Sequence, residues 1–225
     1  MTTLNQLLTK LQSYRNPKNI AGMAKFGINP DKTLGIPIPI LRKLAVETGK
    51  DHKLAIELYK TGFHEAKILA SMIDDYKLVT SNQMEDWVKD FDSWDVVDQI
   101  CSNLFAKTDL VYDKINSWYR REEEFVKRSA FALMACLAVH NKKAPDSLFI
   151  NFLPIIKKCS SDERNYVKKA VNWALRQIGK RNHHLNQEAI NTAQEILNID
   201  NKTAKWIASD AIRELTKHKF YTKKV

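Results

Sequence analysis

Apolar residues recur at intervals of three and four along nearly the whole chain, which is the spacing of an amphipathic α-helix. Glycine and proline number only six each among 225 residues, so few helix-breaking positions interrupt this pattern. No segment alternates polar and apolar residues as a half-buried β-strand does. The sequence therefore predicts an all-α protein, with helices over residues 3–14, 37–48, 51–61, 64–78, 82–90, 93–106, 110–120, 123–140, 146–158, 162–180, 185–198 and 200–217.

Turn-forming residues mark the breaks between these helices, and several of them are suited to cap the helix that follows. Asp162 and Asp200 are predicted N-caps, and Ser81 or Asn82 is predicted to cap the helix near residue 82. The one long break, residues 29–39, reads NPDKTLGIPIP and contains three prolines and one glycine. This composition predicts a structured loop, which is either functional or a rigid connector.

Pairs of predicted helices recur about every 35–45 residues from about residue 50 onward, which is the period of HEAT-type units. Each pair in such an array buries one face against its neighbours, and the second helices of the pairs line a shared concave surface. This interpretation predicts a HEAT-like helical-repeat solenoid, an α–α superhelix, that forms a single domain over residues 1–225. An ordinary globule of many helices would show similar apolar spacing.

The chain is strongly basic, with a formal net charge of +10 and a pI of about 9.4. Such an excess favours an anionic partner, and nucleic acid is the commonest partner of basic helical proteins. The alternative is a generally basic, well-solvated surface. Lysine and arginine are spread over many helices rather than gathered on one amphipathic segment, which disfavours binding to a membrane surface.

The compartment is predicted from the apolar runs and the cysteines. No apolar run approaches the roughly 18 residues that span a bilayer, and the first residues, MTTLNQLLTKLQSYRN, lack the apolar core of a secretion signal. Cys101, Cys136 and Cys159 are widely spaced and lie in apolar helical patterns. They are typical of core thiols in a reducing compartment, so the predicted location is the cytoplasm.

The first stretch that could carry chemistry is FDSWDVVDQICSNLF, residues 91–105. Trp94 and Asp98 are four residues apart, so they lie one helical turn apart on a face that differs from the apolar stripe. The alternative is a surface aspartate beside a half-buried tryptophan, with Asp92 or Ser93 as the helix cap.

The second stretch is EEEFVKRSAFALMACLAVH, residues 122–140. Lys127 and Arg128 lie near the start of this helix, where the backbone favours an anionic partner such as a phosphate. Salt bridges with Glu122, Glu123 or Glu124 are the competing interpretation.

The third stretch is DERNYVKKAVNWALRQIGKR, residues 162–181. Lys169, Trp173, Arg176 and Lys180 follow one another at spacings of four, three and four, which makes one cationic stripe around a tryptophan. A solvated charged face is the usual interpretation of such a run. An exposed indole forgoes roughly 1.5–3 kcal/mol of burial, however, and basic residues interleaved with aromatics are typical of nucleic-acid grooves. The stripe therefore predicts a concave DNA-binding face.

In combination, these stretches resemble the DNA alkylation repair glycosylases of the HEAT-like-repeat superfamily, the AlkD family. The similarity also extends to NPKNIAGMAKF and KTLGIPIPILRKLA, so it covers nearly the whole chain. Trp94 and Asp98 match the family's Trp-x-x-x-Asp pair, in which the aspartate is catalytic. Arg128 matches an arginine of the following helix, and Trp173 and Arg176 match a second tryptophan and a DNA-contacting arginine. The chain departs from the best-studied branch at Phe26, where that branch has a tyrosine, and at Ser93, where it often has a tryptophan.

The resemblance implies an enzyme of base excision repair, an alkylpurine DNA glycosylase that hydrolyses the N-glycosidic bond of N3- and N7-alkylated purines. Asp98 would stabilise an oxocarbenium-like deoxyribose and place a water, without flipping the base into a pocket. The other site residues that this hypothesis assigns are Trp94 and Trp173, which would flank the deoxyribose, and the DNA contacts Arg128, Arg176, Lys169, Lys127, Lys180 and Phe26.

Two other functions remain open at this point. The first is a non-catalytic HEAT-repeat protein that binds branched or distorted DNA, because a fold does not determine its function. The second is a protein-interaction scaffold, which predicts an acidic or apolar concave face. The six histidines show no metal-ligand spacing. The favoured hypothesis is a protein that binds alkylated double-stranded DNA without a metal, a cofactor or a membrane. It is predicted to be a monomer, because a DNA groove in a short repeat array needs no second subunit.

Overall fold

The structure is a computed structural model that describes residues 2–220. Helices make up its regular secondary structure, and no β-strand occurs within residues 2–220, which confirms the all-α prediction. The chain divides into two compact units, of which the first ends at Val111 and the second begins at Tyr112. None of the described helices is both long and apolar enough to cross a membrane.

The first unit is built from short helices that are joined by turns. Its helices are α1 (Leu4–Ser13), α2 (Pro17–Ala24), α3 (Ile38–Thr48), α4 (His52–Tyr59), α5 (His64–Ile73), α6 (Ser81–Lys89) and α7 (Trp94–Asn103), followed by a 3-10 turn (Phe105–Lys107). Helix α5 is buried over almost its whole length and packs against α3, α4 and α7. It is therefore the centre of this unit and the support on which α7 rests.

A buried carboxylate on α5 holds the proline-rich loop between α2 and α3. Glu65 is only 1% exposed, and it accepts hydrogen bonds from the backbone N–H groups of Leu34 at 2.8 Å, Gly35 at 2.6 Å and Ile36 at 3.1 Å. A buried charge is tolerated when hydrogen bonds replace its lost hydration. The loop predicted over residues 29–39 is thus a structured element, with α3 starting at Ile38.

Gly35 lies at a point of this loop where a side chain is not tolerated. Its φ is +74°, and a Cβ atom there would lie 2.4 Å from the backbone oxygen of Asn16. We expect Gly35→Ala to lower the free energy of unfolding by at least about 1–2 kcal/mol, which is the cost of the left-handed backbone alone. Gly22→Ala is the matched control, because nothing lies within 4 Å of its added Cβ. In helix α2, Gly22→Ala should raise the free energy of unfolding by about 0.5–1 kcal/mol. Equal effects of Gly35→Ala and Gly22→Ala in urea unfolding would show that Gly35 is not needed in the loop.

The second unit repeats one helical arrangement. Its helices are α8 (Val111–Trp118, whose first residue still belongs to the first unit), α9 (Glu124–His140), α10 (Asp146–Ile150), α11 (Leu153–Lys158), α12 (Asn165–Gly179), α13 (His183–Leu197) and α14 (Lys202–Leu215). The long helix α9 is buried from Arg128 through Ala138 and packs mainly against α12. Helix α12 packs in turn against α13 and α14.

A constant register relates α12 to α14. Three side-chain contacts join residues 38 positions apart: Lys168 with Trp206, Asn172 with Asp210, and Arg176 with Glu214. A constant offset means that the two helices run in the same direction, in register, as equivalent helices of successive repeats do. The contact of Arg128 with Tyr166, from α9 to α12, has the same separation. The repeat predicted at about 35–45 residues is therefore present in this unit.

Several predicted helix boundaries are wrong, and two of the errors occur at prolines. Helix α2 was not predicted because Pro17 marks a break in the sequence, whereas Asn16 caps the helix and Pro17 occupies its first turn. The predicted helix over 146–158 is two helices, α10 and α11, with Pro154 in the first turn of α11. The predicted helix over 64–78 ends at Ile73.

The predicted N-caps are also corrected. Thr80, rather than Ser81 or Asn82, caps α6, and Asn201, rather than Asp200, caps α14. Asp162 does not cap α12, because the N-cap position is Arg164. The Asp162 side chain instead accepts hydrogen bonds from the Arg164 side chain and from Lys127. Cys101, Cys136 and Cys159 are all buried, as predicted.

Candidate functional site

Trp94 and Asp98 lie at the start of α7, on the edge of its buried face. Trp94 is the first residue of the helix and Asp98 is one turn further on, and both are half-buried. Val97 and Ile100 are fully buried on the adjoining face. The apolar stripe thus orients the helix and leaves an aromatic ring and a carboxylate, one turn apart, at the boundary with solvent.

The Trp94 ring is anchored to the segment that follows α2. Its indole N–H donates a hydrogen bond to the backbone carbonyl of Phe26 at 3.0 Å, across 68 residues of sequence. The Phe26 side chain is 75% exposed. The structure therefore brings together three of the predicted site residues, Trp94, Asp98 and Phe26.

The residues just before Trp94 attach α7 to the same loop. Ser93 is the N-cap position, but its hydroxyl accepts the backbone N–H of Asn29 at 3.0 Å instead of capping the helix. The Asp92 carboxylate accepts a hydrogen bond from the Asn29 side-chain amide at 2.8 Å. Both residues that were considered as caps thus connect α7 to the loop, and the loop in turn is held by Glu65.

A histidine–aspartate pair links α5 to the first turn of α7. His64 Nε2 lies 2.8 Å from Asp95 Oδ2, with the His64 side chain 3% exposed and the Asp95 side chain 18% exposed. Burial lowers the pKa of the His64 imidazole, but the adjacent Asp95 carboxylate outweighs burial, so that the pKa lies above its ordinary value. The pair thus holds Asp95, the residue next to Trp94, against the buried His64 of α5.

The pH dependence of stability tests this pair. A raised histidine pKa stabilises the folded state fully below about pH 6.5, and that contribution is lost as the pH rises through the folded-state pKa. We expect the difference in unfolding free energy between the wild type and Asp95→Asn to be largest near pH 6 and to shrink as the pH rises through the folded-state pKa of His64. The exposed Asp86→Asn is the control and should show little pH-dependent difference. A pH-independent difference for Asp95→Asn would show that His64 does not titrate in the folded protein.

In the second unit, Lys127 and Arg128 connect the start of α9 to the start of α12. Lys127 Nζ lies 3.3 Å from Asp162 Oδ2, a carboxylate that was not among its predicted partners. Arg128 is only 5% exposed, and its Nη1 donates to the backbone carbonyl of Tyr166 at 2.7 Å. Glu124, one of the predicted acidic partners, accepts the backbone N–H of Tyr166 at 3.1 Å.

In the cationic stripe of α12 (Lys169, Trp173, Arg176 and Lys180), acidic side chains neutralise more of the positive charge than the sequence of α12 indicates. Lys169 is exposed, and the other three residues are half-buried. Arg176 and Lys180 both form ion pairs with Glu214 of α14, and Arg176 Nε lies 3.8 Å from Asp210 Oδ2. Burial raises the pKa of the Glu214 carboxyl, but the effect of Lys180 and Arg176 is larger. The pKa of Glu214 therefore lies below its ordinary value. The structure thus brings two stripe cations together on one carboxylate.

Asp210 and Glu214 are functional candidates that the sequence analysis missed. They lie four residues apart on α14, so they share one face of that helix, and this spacing is the signal that could have revealed them. No cluster of three His, Cys, Asp or Glu side chains that could hold a metal ion occurs in the part of the chain that the structure describes.

Comparison with known proteins places the whole arrangement in one family. Residues 7–215 match the family described as DNA alkylation repair enzyme. The chain belongs to this family. The resemblance to a DNA alkylation repair family that the motifs around Trp94, Arg128 and Trp173 indicated is therefore confirmed.

Two proteins that are similar to this chain are informative. The first is the uncharacterized protein Lin0241 of Listeria innocua, which is 24% identical over 200 residues, 87% of each chain. The second is a solved structure described as a new family of proteins related to the HEAT-like repeat DNA glycosylases, with affinity for branched DNA structures. That structure matches with a TM-score of 0.78 at 17% identity, over 94% of this chain and 95% of its own. The likeness confirms a HEAT-like repeat fold.

Proposed function

We propose that this protein is an alkylpurine DNA glycosylase, a hydrolase that excises N3- and N7-alkylated purines in base excision repair. The observation that carries the proposal is the pair of Trp94 and Asp98 at the start of α7, with the Trp94 ring held by the Phe26 carbonyl. A carboxylate one turn from a fixed aromatic ring places a negative charge and an electron-rich face together, and both would stabilise a sugar cation. Membership of a DNA alkylation repair family supports DNA as the substrate.

The proposed chemistry needs one carboxylate. An alkylated purine carries a positive charge, so when the C1′–N bond breaks, the bonding electrons leave with the base, which departs neutral without a general acid. Asp98 would stabilise the cationic deoxyribose by its charge and orient the water whose oxygen bonds to C1′, and its carboxylate would accept the proton that this water loses. The Trp94 ring would offer its electron-rich face to the positive lesion and sugar. No step requires the base to be flipped into a pocket.

The remaining predicted residues would bind the substrate. Trp173 would supply a second aromatic face, and the exposed Phe26 ring would contact the DNA near Trp94. The cations proposed to contact phosphates are Arg176, Lys169, Lys127 and Lys180. Arg128 is buried, so it would reach a phosphate only when its guanidinium leaves the Tyr166 carbonyl. Arg176 and Lys180 already share Glu214, so a phosphate that binds there exchanges with or joins an existing ion pair.

Base release from methylated duplex DNA is the deciding experiment. Duplex DNA treated with a methylating agent is incubated with the protein, and free 7-methylguanine and 3-methyladenine are measured against DNA without protein. We expect protein-dependent release of methylpurines and abasic sites, with no release of unmodified bases. Binding to the DNA without any base release would refute the glycosylase.

A second candidate is a non-catalytic protein that binds branched DNA. The observation that favours it is the structural relative described as having affinity for branched DNA structures. This candidate predicts tighter binding to a four-way junction than to a linear duplex of the same length, without base release. Base release, with equal affinity for the two DNAs, would refute it.

A further inference from the structure

We propose that α14 and the residues that follow it carry a second row of phosphate contacts for duplex DNA, beside the row on α12. The proposal rests on the proposed DNA binding and adds α14 to the surface that the α12 motif predicts. We call it the α14 surface; its residues are Trp206, Arg213, Lys217 and Lys219, together with the neighbouring Lys168 and Lys180.

The exposed tryptophan of α14 is the first observation. Trp206 is 43% exposed, and Lys168 Nζ of α12 lies 5.6 Å from the centre of its ring. An amine over an aromatic face keeps both groups at the surface and offers a cation and an apolar plane together. Nucleic-acid surfaces combine these two chemistries for phosphate and sugar.

A charged cavity at the C-terminal end of α14 is the second observation. It has a volume of about 630 Å³, and every side chain that lines it is charged or titratable: Lys180, Arg213, Glu214, Lys217, His218 and Lys219. Four of these six groups are permanently cationic, against one carboxylate. An open cavity whose lining side chains all end in charged or titratable groups is unlike a small-molecule pocket and suits the phosphates of a polymer.

The carboxylates near this cavity are already engaged. Glu214 is shared by Arg176 and Lys180, and Asp210 pairs with Arg213, whose side chain is nevertheless 69% exposed. Within residues 2–220, Lys217 and Lys219 form no ion pair, and both are exposed. The cavity therefore presents an excess of positive charge to the solvent.

The α14 surface is continuous with the α12 stripe, so the anion proposed for it is the phosphate backbone of the same DNA duplex. Lys180 belongs both to that stripe and to the cavity, and α12 and α14 run parallel in register. The stripe from Lys169 to Lys180 extends about 16 Å along the helix, roughly five base-pair steps. Packed helices lie about 8–10 Å apart, so a duplex that follows α12 would bring further phosphates to α14.

The salt dependence of DNA binding tests the α14 surface. The variant Arg213→Gln/Lys217→Gln/Lys219→Gln removes three exposed cations without adding bulk. Its affinity for an unmodified duplex should fall, and the slope of log Kobs against log salt should become shallower by about 2–3, or 0.9 per phosphate contact. The matched control is Lys53→Gln/Lys60→Gln/Lys142→Gln, which removes three exposed lysines elsewhere and should keep the wild-type slope. Thermal unfolding of both variants verifies that they are folded.

The outcomes separate this inference from the glycosylase proposal. An unchanged slope in the α14 variant, or an equal change in both variants, would overturn the α14 surface even if base release is observed. Variant-sensitive binding to phosphatidylserine vesicles, with an unchanged DNA slope, would assign the surface to a membrane and likewise overturn the inference. A shallower slope confined to the α14 variant supports it, whether or not methylated bases are excised.

Discussion

Replacing Asp98 with asparagine is expected to lower the rate of base release from N-methylpurine DNA by about 100- to 1000-fold. The change keeps the size of the side chain and removes the negative charge that would steady the sugar cation. In the proposed function DNA affinity would come from the cationic contacts instead, so binding of unmodified duplex should stay within about twofold of the wild type. Single-turnover base release and duplex binding, measured on the same preparation, test both parts.

Asp86→Asn is the matched control for Asp98→Asn. Asp86 is an exposed residue of α6 in the same unit, so its substitution makes the same change of charge away from the Trp94 ring. The control should release bases at the wild-type rate. Wild-type release by Asp98→Asn would show that the catalytic assignment is wrong, and parallel loss of release and binding would show that Asp98 acts on the structure rather than on the sugar.

The second large effect is expected for Glu65→Ala, which removes the carboxylate that holds the loop between α2 and α3. Three backbone N–H groups, those of Leu34, Gly35 and Ile36, would lose their acceptor in a buried place. Each unsatisfied buried donor costs about 1–3 kcal/mol, so the free energy of unfolding should fall by at least about 3 kcal/mol. Urea unfolding measures this loss.

Glu57→Ala provides the comparison, because Glu57 is an exposed glutamate of the neighbouring helix α4. It should change the free energy of unfolding by no more than about 0.5 kcal/mol. A small effect at Glu65 would mean that water replaces the carboxylate at the three amides. In that case the loop would not depend on Glu65 for its position beside Trp94.

Features that follow from local spacing could be predicted from the sequence. The apolar stripe of α7 gives the face on which Trp94 and Asp98 lie, and the long apolar run of α9 predicts its burial. A repeat of about 35–45 residues was also visible, because packing imposes the same apolar spacing on every inner helix. Helix-breaking residues are ambiguous at Pro17, where a proline in the first turn starts a helix instead of ending one.

Features that join distant segments could not be predicted. Glu65 reads as an ordinary surface charge in the sequence, and its buried role depends on a loop about 30 residues earlier. The compensation of Arg176 and Lys180 depends on Glu214, 38 and 34 residues further along the chain. A local pattern records which residues share a face, but not which charges a neighbouring repeat brings to it.

The hydrogen bond from Trp94 to the Phe26 carbonyl determines what this indole can recognise. Tryptophan has a single donor and no acceptor, and here the donor is occupied within the protein. Only the carbon surface of the ring remains for a ligand, so Trp94 has no means of distinguishing one base pair from another through its edge. Such indifference would suit the proposed glycosylase, whose substrate is defined by the alkyl group on the purine rather than by the neighbouring sequence.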